Sequence, residues 1–324
     1  MKQISYEILK NLRLKNGLFI AAPSSIYNKA WLRDNIYSAI GLEIVNVKEA
    51  IQTYHALLDI LKKHEYKINF AIKEKPKHAY QYIHARYNPE TLEEYHEEWG
   101  NKQNDAIGAL LFKIAELLDK KLPVLRNLDD YRIIQKLVFY LESIEYWHDK
   151  DNGMWEEYEE IHASSVGACL AGLKAIANHV YVPSHLIEKG QETLNLLLPK
   201  ESETKETDLA LLSLIYPYNI VNDKQKSLIL KNVEEKLLRE KGVIRYINDQ
   251  YFNKGKEASW TFGLAWLAVV YKDIDKIKYE FYLQKTIEAM NEKNELPELY
   301  INDEIPNENT PLAWTHAMHL VALS

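Results

Sequence analysis

Cysteine is nearly absent: Cys169 is the single one in 324 residues, which excludes a disulfide framework and a cysteine-rich zinc site. Chain breakers are scarce, with 11 glycines and 10 prolines, about half of ordinary usage. That scarcity favours helices and counts against an all-β sandwich, a collagen or a disordered chain. No run of about 18 apolar residues occurs, so no membrane-spanning helix is predicted. The opening stretch MKQISYEILKNLRLKNGLFI has neither the uninterrupted apolar segment nor the small-residue cleavage site of a signal peptide, and a cytoplasmic setting is expected. A basic excess is missing too. Lys and Arg number 40 against 47 Asp and Glu, a formal charge of −7, which argues against a nucleic-acid groove. The sequence holds no phosphate-cradling glycine loop, no GxSxG and no HExxH, so dinucleotide, serine-hydrolase and zincin chemistry have no support. No metal and no organic cofactor is expected.

What is present is a large apolar fraction, 47%, with 27% charged residues, enough to bury a sizeable core. The chain is rich in aromatics, with 22 tyrosines and 7 tryptophans, flat amphipathic rings that suit sugar stacking and also fill cores. Apolar residues recur at helical spacing in Ser5–Arg13, Arg33–Val45, Ala50–Lys63, Asp105–Asp119, Tyr131–Trp147 and Ser164–His179. They recur again in Ser184–Leu197, Thr207–Ile215, Lys224–Leu238, Ser259–Val270, Lys276–Met290 and Pro311–Leu323. Twelve helices in one chain predict an all-α fold, two concentric rings of six in an (α/α)6 barrel. An α-solenoid shares the periodicity, but it predicts short regular turns. The connections here are long: Gly17–Trp31, Glu65–Gln103, Asp149–Ala163, Gly242–Ala258 and Leu296–Pro311. They carry many Tyr, Trp, Glu and His residues, as functional loops do. No linker or composition shift divides residues 1–324, so a single domain is expected.

Several segments carry candidate chemistry. In DNGMWEEYEEIHASS, Gly153 permits a turn, Trp155 offers a stacking face, and Glu156 and Glu157 follow. A carboxyl group beside an indole and a second carboxyl tends to keep its proton, as a general acid requires. The same segment also reads as an acidic loop entering a helix. In NELPELYINDE, Glu298 lies between apolar neighbours, with Tyr300 placed to orient it, although a tight turn with surface glutamates fits equally. Two carboxylates flanking a sugar bond supply acid and base, and only a closed barrel brings residues so far apart in sequence into one pit. KAWLRDNIYSA groups Trp31, Arg33 and Asp34, a donor fork and an acceptor able to grip a polyol or to cap a helix. HARYN contributes His84 and Arg86, and EEWGNKQND contributes Trp99, Gln103 and Asp105, a stacking floor with hydroxyl partners or a plain helix start. GVIRYINDQY brings Arg245, Asp249 and Tyr251 to a hairpin-like loop or a charged turn. His148, His162 and His316 lie near these loops without metal-ligand spacing.

Taken in order, WLRDN, HARYN, EEWGNKQND, NGMWEEYEEIHASSVG, GVIRYINDQY, LPELY and TPLAWTHAMHL resemble the glucoamylase-like glycoside hydrolase family 15. The series looks especially like the branch that includes the N-terminal domain of the phosphorylase kinase α and β subunits. The similarity runs from about Ala21 to Leu323. The resemblance implies an (α/α)6 barrel and inverting hydrolysis of α-glucosidic bonds, releasing β-glucose from chain ends. It implies Glu156 as general acid and Glu298 as general base, with Arg33 and Asp34 holding the terminal glucose. It further implies Trp99 in the first subsite, and Glu157 and Arg245 at the next sugar. Bacterial and archaeal glucoamylases usually carry an N-terminal β-sandwich, for which this sequence has no counterpart, and it has no separate starch-binding module. The expected substrates are therefore α-glucosides and short soluble maltooligosaccharides. The same scaffold also hosts α,α-trehalase activity, and the kinase-subunit branch implies a glucan-sensing regulatory domain as the rival. A helical scaffold without a site is the remaining reading.

Overall fold

The computed structural model describes residues 1–97 and 99–324. Along the chain its α-helices are α1 (Lys2–Leu12), α2 (Leu32–Glu43), α3 (Val47–Lys63), α4 (Glu65–Lys73), α5 (Asn104–Asp119) and α6 (Leu128–Ile144). They continue as α7 (Ala163–Ile176), α8 (Ser184–Leu197), α9 (Asp223–Asn232), α10 (Phe262–Tyr271), α11 (Lys276–Glu288) and α12 (Ala313–Ala322). A 3-10 helix spans Leu209–Leu214.

Burial divides these elements into two sets. Helices α2, α5, α7, α10 and α12 and the Leu209–Leu214 turn bury nearly every residue; all ten of α10, FGLAWLAVVY, are buried. A helix apolar all round must be surrounded by other elements. Each of these six packs on the next in the order α2, α5, α7, the 3-10 helix, α10, α12, and α12 returns to α2, which closes an inner ring. Helices α1, α3, α6, α8, α9 and α11 bury one stripe only and stand outside, each against an inner or neighbouring element. In α3 the stripe is Ala50, Tyr54, Leu57, Leu58 and Leu61, the spacing of one helical face. Side-chain caps start several outer helices: Asn46 accepts from the Glu49 N–H, Asn127 from Asp130, Asn222 from Gln225, and Asp275 from Ile277 and Lys278. The (α/α)6 barrel expected from periodicity is therefore the architecture, and the closed ring rules out the solenoid.

Two expectations are corrected. The stretch Glu65–Gln103 is not all loop, because α4 forms at its start and packs Ile68 and Ala71 against α6. Thr207–Ile215 is a 3-10 rather than an α-helix. Its turns close with i→i+3 bonds, Leu211 N–H to Asp208 and Ile215 N–H to Leu212, and Pro217 lacks the N–H needed to continue. Among the described residues, no helix is long and apolar enough to cross a membrane.

Short antiparallel ladders tie the loops down at one end of the barrel. Strand β1 (Ala30–Trp31) pairs with β2 (Arg86–Tyr87), with Trp31 opposite Arg86. Strand β3 (Ser259–Trp260) pairs with β4 (Leu299–Ile301), which pairs with β5 (Ile305–Pro306). β1 runs directly into α2, and β3 lies just before α10.

The closest approach in the inner ring is between α5 and α7. A methyl group on Gly108 would overlap the backbone of Ala168 and Cys169, and one on Gly172 would overlap the Gly108 carbonyl. Overpacking a tight core contact costs about 1–3 kcal/mol. Gly108→Val is expected to lower the unfolding free energy by at least about 1 kcal/mol, read as a lower urea midpoint with the slope unchanged. A midpoint equal to that of the parent would contradict this packing.

Candidate active site

The inner helices α2, α5, α7, α10 and α12 begin around one pit, a cavity of about 230 Å³. Trp31, Arg33 and Asp34 reach it from the start of α2, Trp99 from the loop before α5, and Met154 to Glu157 from the loop before α7. Arg245 and Tyr251 enter from the loop before β3, Trp260 and Phe262 from the start of α10, and Leu312 and Trp314 from the start of α12. Glu298 and Tyr27 complete the wall. Helix N-termini carry partial positive charge, so this end of the ring favours carboxylates.

Arg33 is the centre of the polar network, with a side chain 2% exposed. Its Nη1 donates to Gln103 at 2.9 Å and to both Asp105 oxygens at 3.0 and 3.1 Å. Its Nη2 donates to the Met154 carbonyl at 2.6 Å and lies 3.6 Å from the Glu156 carboxylate. Arg33 thus fixes the loop that carries Glu156. That loop is tightly wound: Gly153 and Glu156 have φ of 61° and 64°, and a methyl on Gly153 would strike the His162 ring. A left-handed non-glycine residue is held only where its surroundings determine it. Here Asp151 accepts from the Gly153 and Asn104 N–H groups, and Asn152 donates to the Glu157 carbonyl.

Glu156 keeps 23% of its side chain exposed, on the pit side. Burial pushes its carboxyl up to about 7, with Arg33 opposing and Asp34 adding to the rise. Burial also raises Asp34 to about 6, against the pull of Arg33. Glu298 is 1% exposed and differently held. Its Oε2 accepts from the Asn307 amide at 2.5 Å and from the Asn309 amide at 2.7 Å. Burial raises its pKa above the ordinary range, while these amides, the Tyr27 hydroxyl and Arg245 restrain the rise. Tyr27 bonds Tyr251 at 3.1 Å, and both tyrosines sense Glu156 and Glu298. Three pit-lining tryptophans, Trp31, Trp260 and Trp314, keep their indole N–H buried with no partner among the described residues.

Glu157 accepts from Arg245 at 2.9 Å, from the Tyr246 hydroxyl at 2.8 Å and from Lys205 at 2.7 Å. Arg245 is clamped by Asp249 and packs over Trp155, Tyr251 and Trp260.

Of the residues singled out from sequence, Trp31, Arg33, Asp34, Trp99, Trp155, Glu156, Glu157, Arg245 and Glu298 meet in the pit. Gln103 and Asp105 stand behind Arg33 and occupy its donors, so they brace the pit wall instead of facing it. Arg86 also lies behind the wall, stacked on Trp99 at 4.3 Å and on Trp31 at 5.4 Å. Tyr300 does not orient Glu298: its hydroxyl donates to the Ala289 carbonyl at 3.0 Å. His316 bonds Ser5 and accepts the Leu296 N–H, anchoring the segment that leads to Glu298. His84 accepts the Arg86 N–H, and His162 faces Glu201 at 3.4 Å. Tyr27, Met154, Trp260, Phe262, Leu312 and Trp314 had no site role in the sequence reading. Trp260 and Trp314 belong to apolar helix starts that look like core, and Tyr27 sits in a loop with no distinguishing pattern.

Comparison with known proteins places the chain. The model of the family "Glycosyl hydrolases family 15" matches residues 2–259. The skeletal-muscle phosphorylase b kinase regulatory subunit alpha of Oryctolagus cuniculus is 30% identical over 71% of this chain and 22% of its own length. A probable phosphorylase b kinase regulatory subunit alpha of Caenorhabditis elegans is 26% identical over 90% of this chain and 30% of its own. The chain thus spans less than a third of these relatives. Among solved structures, a wild-type glycosidase superposes with a TM-score of 0.86 at 20% identity, covering 99% of this chain and 94% of that one. A variant glycosidase in complex with glucose has the same score at 19% identity, with the same coverage. The glucoamylase of Saccharomycopsis fibuligera gives 0.65 at 17%, covering 99% and 93%. At these identities the structures establish a shared fold.

A carboxyl whose folded-state pKa is raised above its ordinary value costs stability once the pH passes that ordinary value. Glu156→Gln removes the cost. Below about pH 4.5 the two proteins should unfold at the same urea concentration. Above pH 7 the variant should be more stable by on the order of 3 kcal/mol, about 1.4 kcal/mol for each pH unit of the rise. A variant less stable than the parent at pH 8 would contradict the burial argument.

Proposed function

The chain belongs to glycosyl hydrolase family 15, and on that premise we propose that it is an inverting, exo-acting α-glucosidase of glucoamylase type. Its proposed substrates are α-glucosides and short soluble maltooligosaccharides. The observation that carries this reading is the meeting of two buried carboxyls in one pit. Glu156 holds its proton near neutrality, and Glu298, also raised by burial, has two amide donors on one oxygen that restrain its rise.

In this mechanism Glu156 donates its proton to the glycosidic oxygen as the C–O bond breaks. Glu298 takes a proton from a water, whose oxygen bonds to the anomeric carbon from the opposite face. One proton enters the leaving group and one leaves the water, so the balance closes with glucose freed as the β anomer. Tyr27, beside Glu298, is suited to orient that water. Arg33 and Asp34 grip the hydroxyls of the bound ring: Asp34 presents its carboxylate to the pit with no side-chain donor upon it. A blind pit admits only a chain end. No metal or organic cofactor is required for these proton transfers. The glycosidase neighbour in complex with glucose supports a glucoside as ligand.

A second reading has its own support. Curated relatives are named regulatory subunits of phosphorylase b kinase, which favours a glucan-sensing domain without turnover. Maltose, maltotriose, isomaltose, kojibiose and trehalose separate the alternatives by anomer-resolved glucose release. The hydrolase is expected to release β-glucose first, and Glu156→Gln and Glu298→Gln should each lower turnover by at least about 10²-fold. Binding without release favours the sensor, and turnover of trehalose alone favours the trehalase. Unimpaired rates in both variants would reject the assignment of acid and base. The rate should also fall above about pH 7, where Glu156 loses its proton.

A further inference from the structure

Trp155 forms part of the pit wall, and its ring is held from behind. Its indole Nε1 donates to Asp208 Oδ1 at 2.8 Å. Asp208 is fully buried and outside the pit lining. The same Oδ1 accepts the Ala210 N–H at 2.7 Å, which caps the 3-10 helix of the inner ring, while Oδ2 is buried with no partner among the described residues. The backbone beside Asp208 reaches a second wall residue. Leu209 N–H donates to the Arg245 carbonyl at 2.8 Å, and Asp208 bridges to Tyr246. The chain just upstream reaches a third, through the bond from Lys205 to Glu157.

We infer that Asp208 is a positioning residue, which acts through the Trp155 indole to set the wall next to Glu156. Three facts carry it. The indole N–H is buried, and a buried donor requires a partner. Asp208 supplies that partner from a different inner-ring element. And the tethered ring precedes Glu156, whose backbone is left-handed and so depends on its neighbours for its direction. Trp155 also packs on Trp260 and Phe262, with ring centroids 5.8 and 5.9 Å away, and beneath Arg245 at 5.4 Å. Rotation of the indole would therefore disturb the acid and the neighbouring cation together. A cap alone needs no such reach, since serine would serve.

The catalytic part of this inference rests on the proposed hydrolase reading; the tether itself does not. The test uses Asp208→Ser and Asp208→Asn in the full chain. Serine can still accept the Ala210 N–H but is too short to reach the indole. Asparagine can place an oxygen where Oδ1 stands and serve both donors. The readouts are the Trp155 indole N–H resonance, identified by its loss in Trp155→Phe, and kcat and KM on maltose. In Asp208→Ser the resonance should move upfield and exchange faster with solvent, and kcat/KM should fall roughly tenfold, mostly in kcat. In Asp208→Asn the resonance should stay near its parental position, with kcat/KM within about threefold. An unshifted resonance in Asp208→Ser would overturn the tether, as would equal loss in both variants. A parent protein that releases no glucose from any glucoside would sink the hydrolase reading, and the resonance would still decide the tether.

Discussion

The buried guanidinium of Arg33 joins three parts of the molecule that the chain supplies separately. Its residue belongs to α2, its main counter-charge to α5, and its strongest acceptor to the loop that precedes α7. Removing one partner of a buried ion pair costs about 3–5 kcal/mol, because the other charge is left stranded. The two guanidinium nitrogens serve different elements, Nη1 the Asp105 and Gln103 acceptors and Nη2 the Met154 carbonyl, a spread suited to arginine's planar fork, which lysine lacks. Three of the six inner elements are thereby locked in register at the pit, and Glu156 is presented by a loop whose carbonyl Arg33 already holds.

Ring closure then sets the electrostatics. Inner helices present their N-termini to the pit, and the carboxyls of Glu156, Asp34 and Glu298 gather there out of water. Burial raises all three. Local partners oppose that rise in different ways: Glu156 has an arginine at 3.6 Å, and Glu298 has two amides upon one oxygen. The fold bears a stability cost at this end and recovers it in the apolar inner ring, where α10 is buried over its whole length.

Much of this was legible in the sequence. Helical periodicity located all twelve barrel elements, including the short one at 207–215, because an inner or outer helix must repeat its apolar face. The type of that element was not legible, since i→i+3 closure depends on the Asp208 cap and on Pro217 more than on pattern. Helix α4 escaped because it is short and its apolar residues do not share one face: Ile68 and Ala71 are buried while Tyr66 and Phe70 are exposed. At the site, WLRD, GMWE and PELY carried the principal polar residues. Direction was the missing information. Asp105 and Gln103 turn to Arg33, and Tyr300 turns to Ala289, choices made by tertiary packing. Trp260 and Trp314 read as core because they are flanked by core, and only the closed ring exposes one face of each to the pit. Asp208 read as a helix start, which it is; its bond to Trp155 spans 53 residues and leaves no local trace.

The central claim is that one saccharide unit occupies the pit between Glu156 and Glu298. A crystal structure of the protein soaked in glucose tests it most directly. The account predicts a single ring in the pit, its hydroxyls on Arg33 and Asp34, and its anomeric carbon between the two glutamates. A pit left empty at saturating glucose, or a sugar bound only elsewhere on the surface, would contradict it.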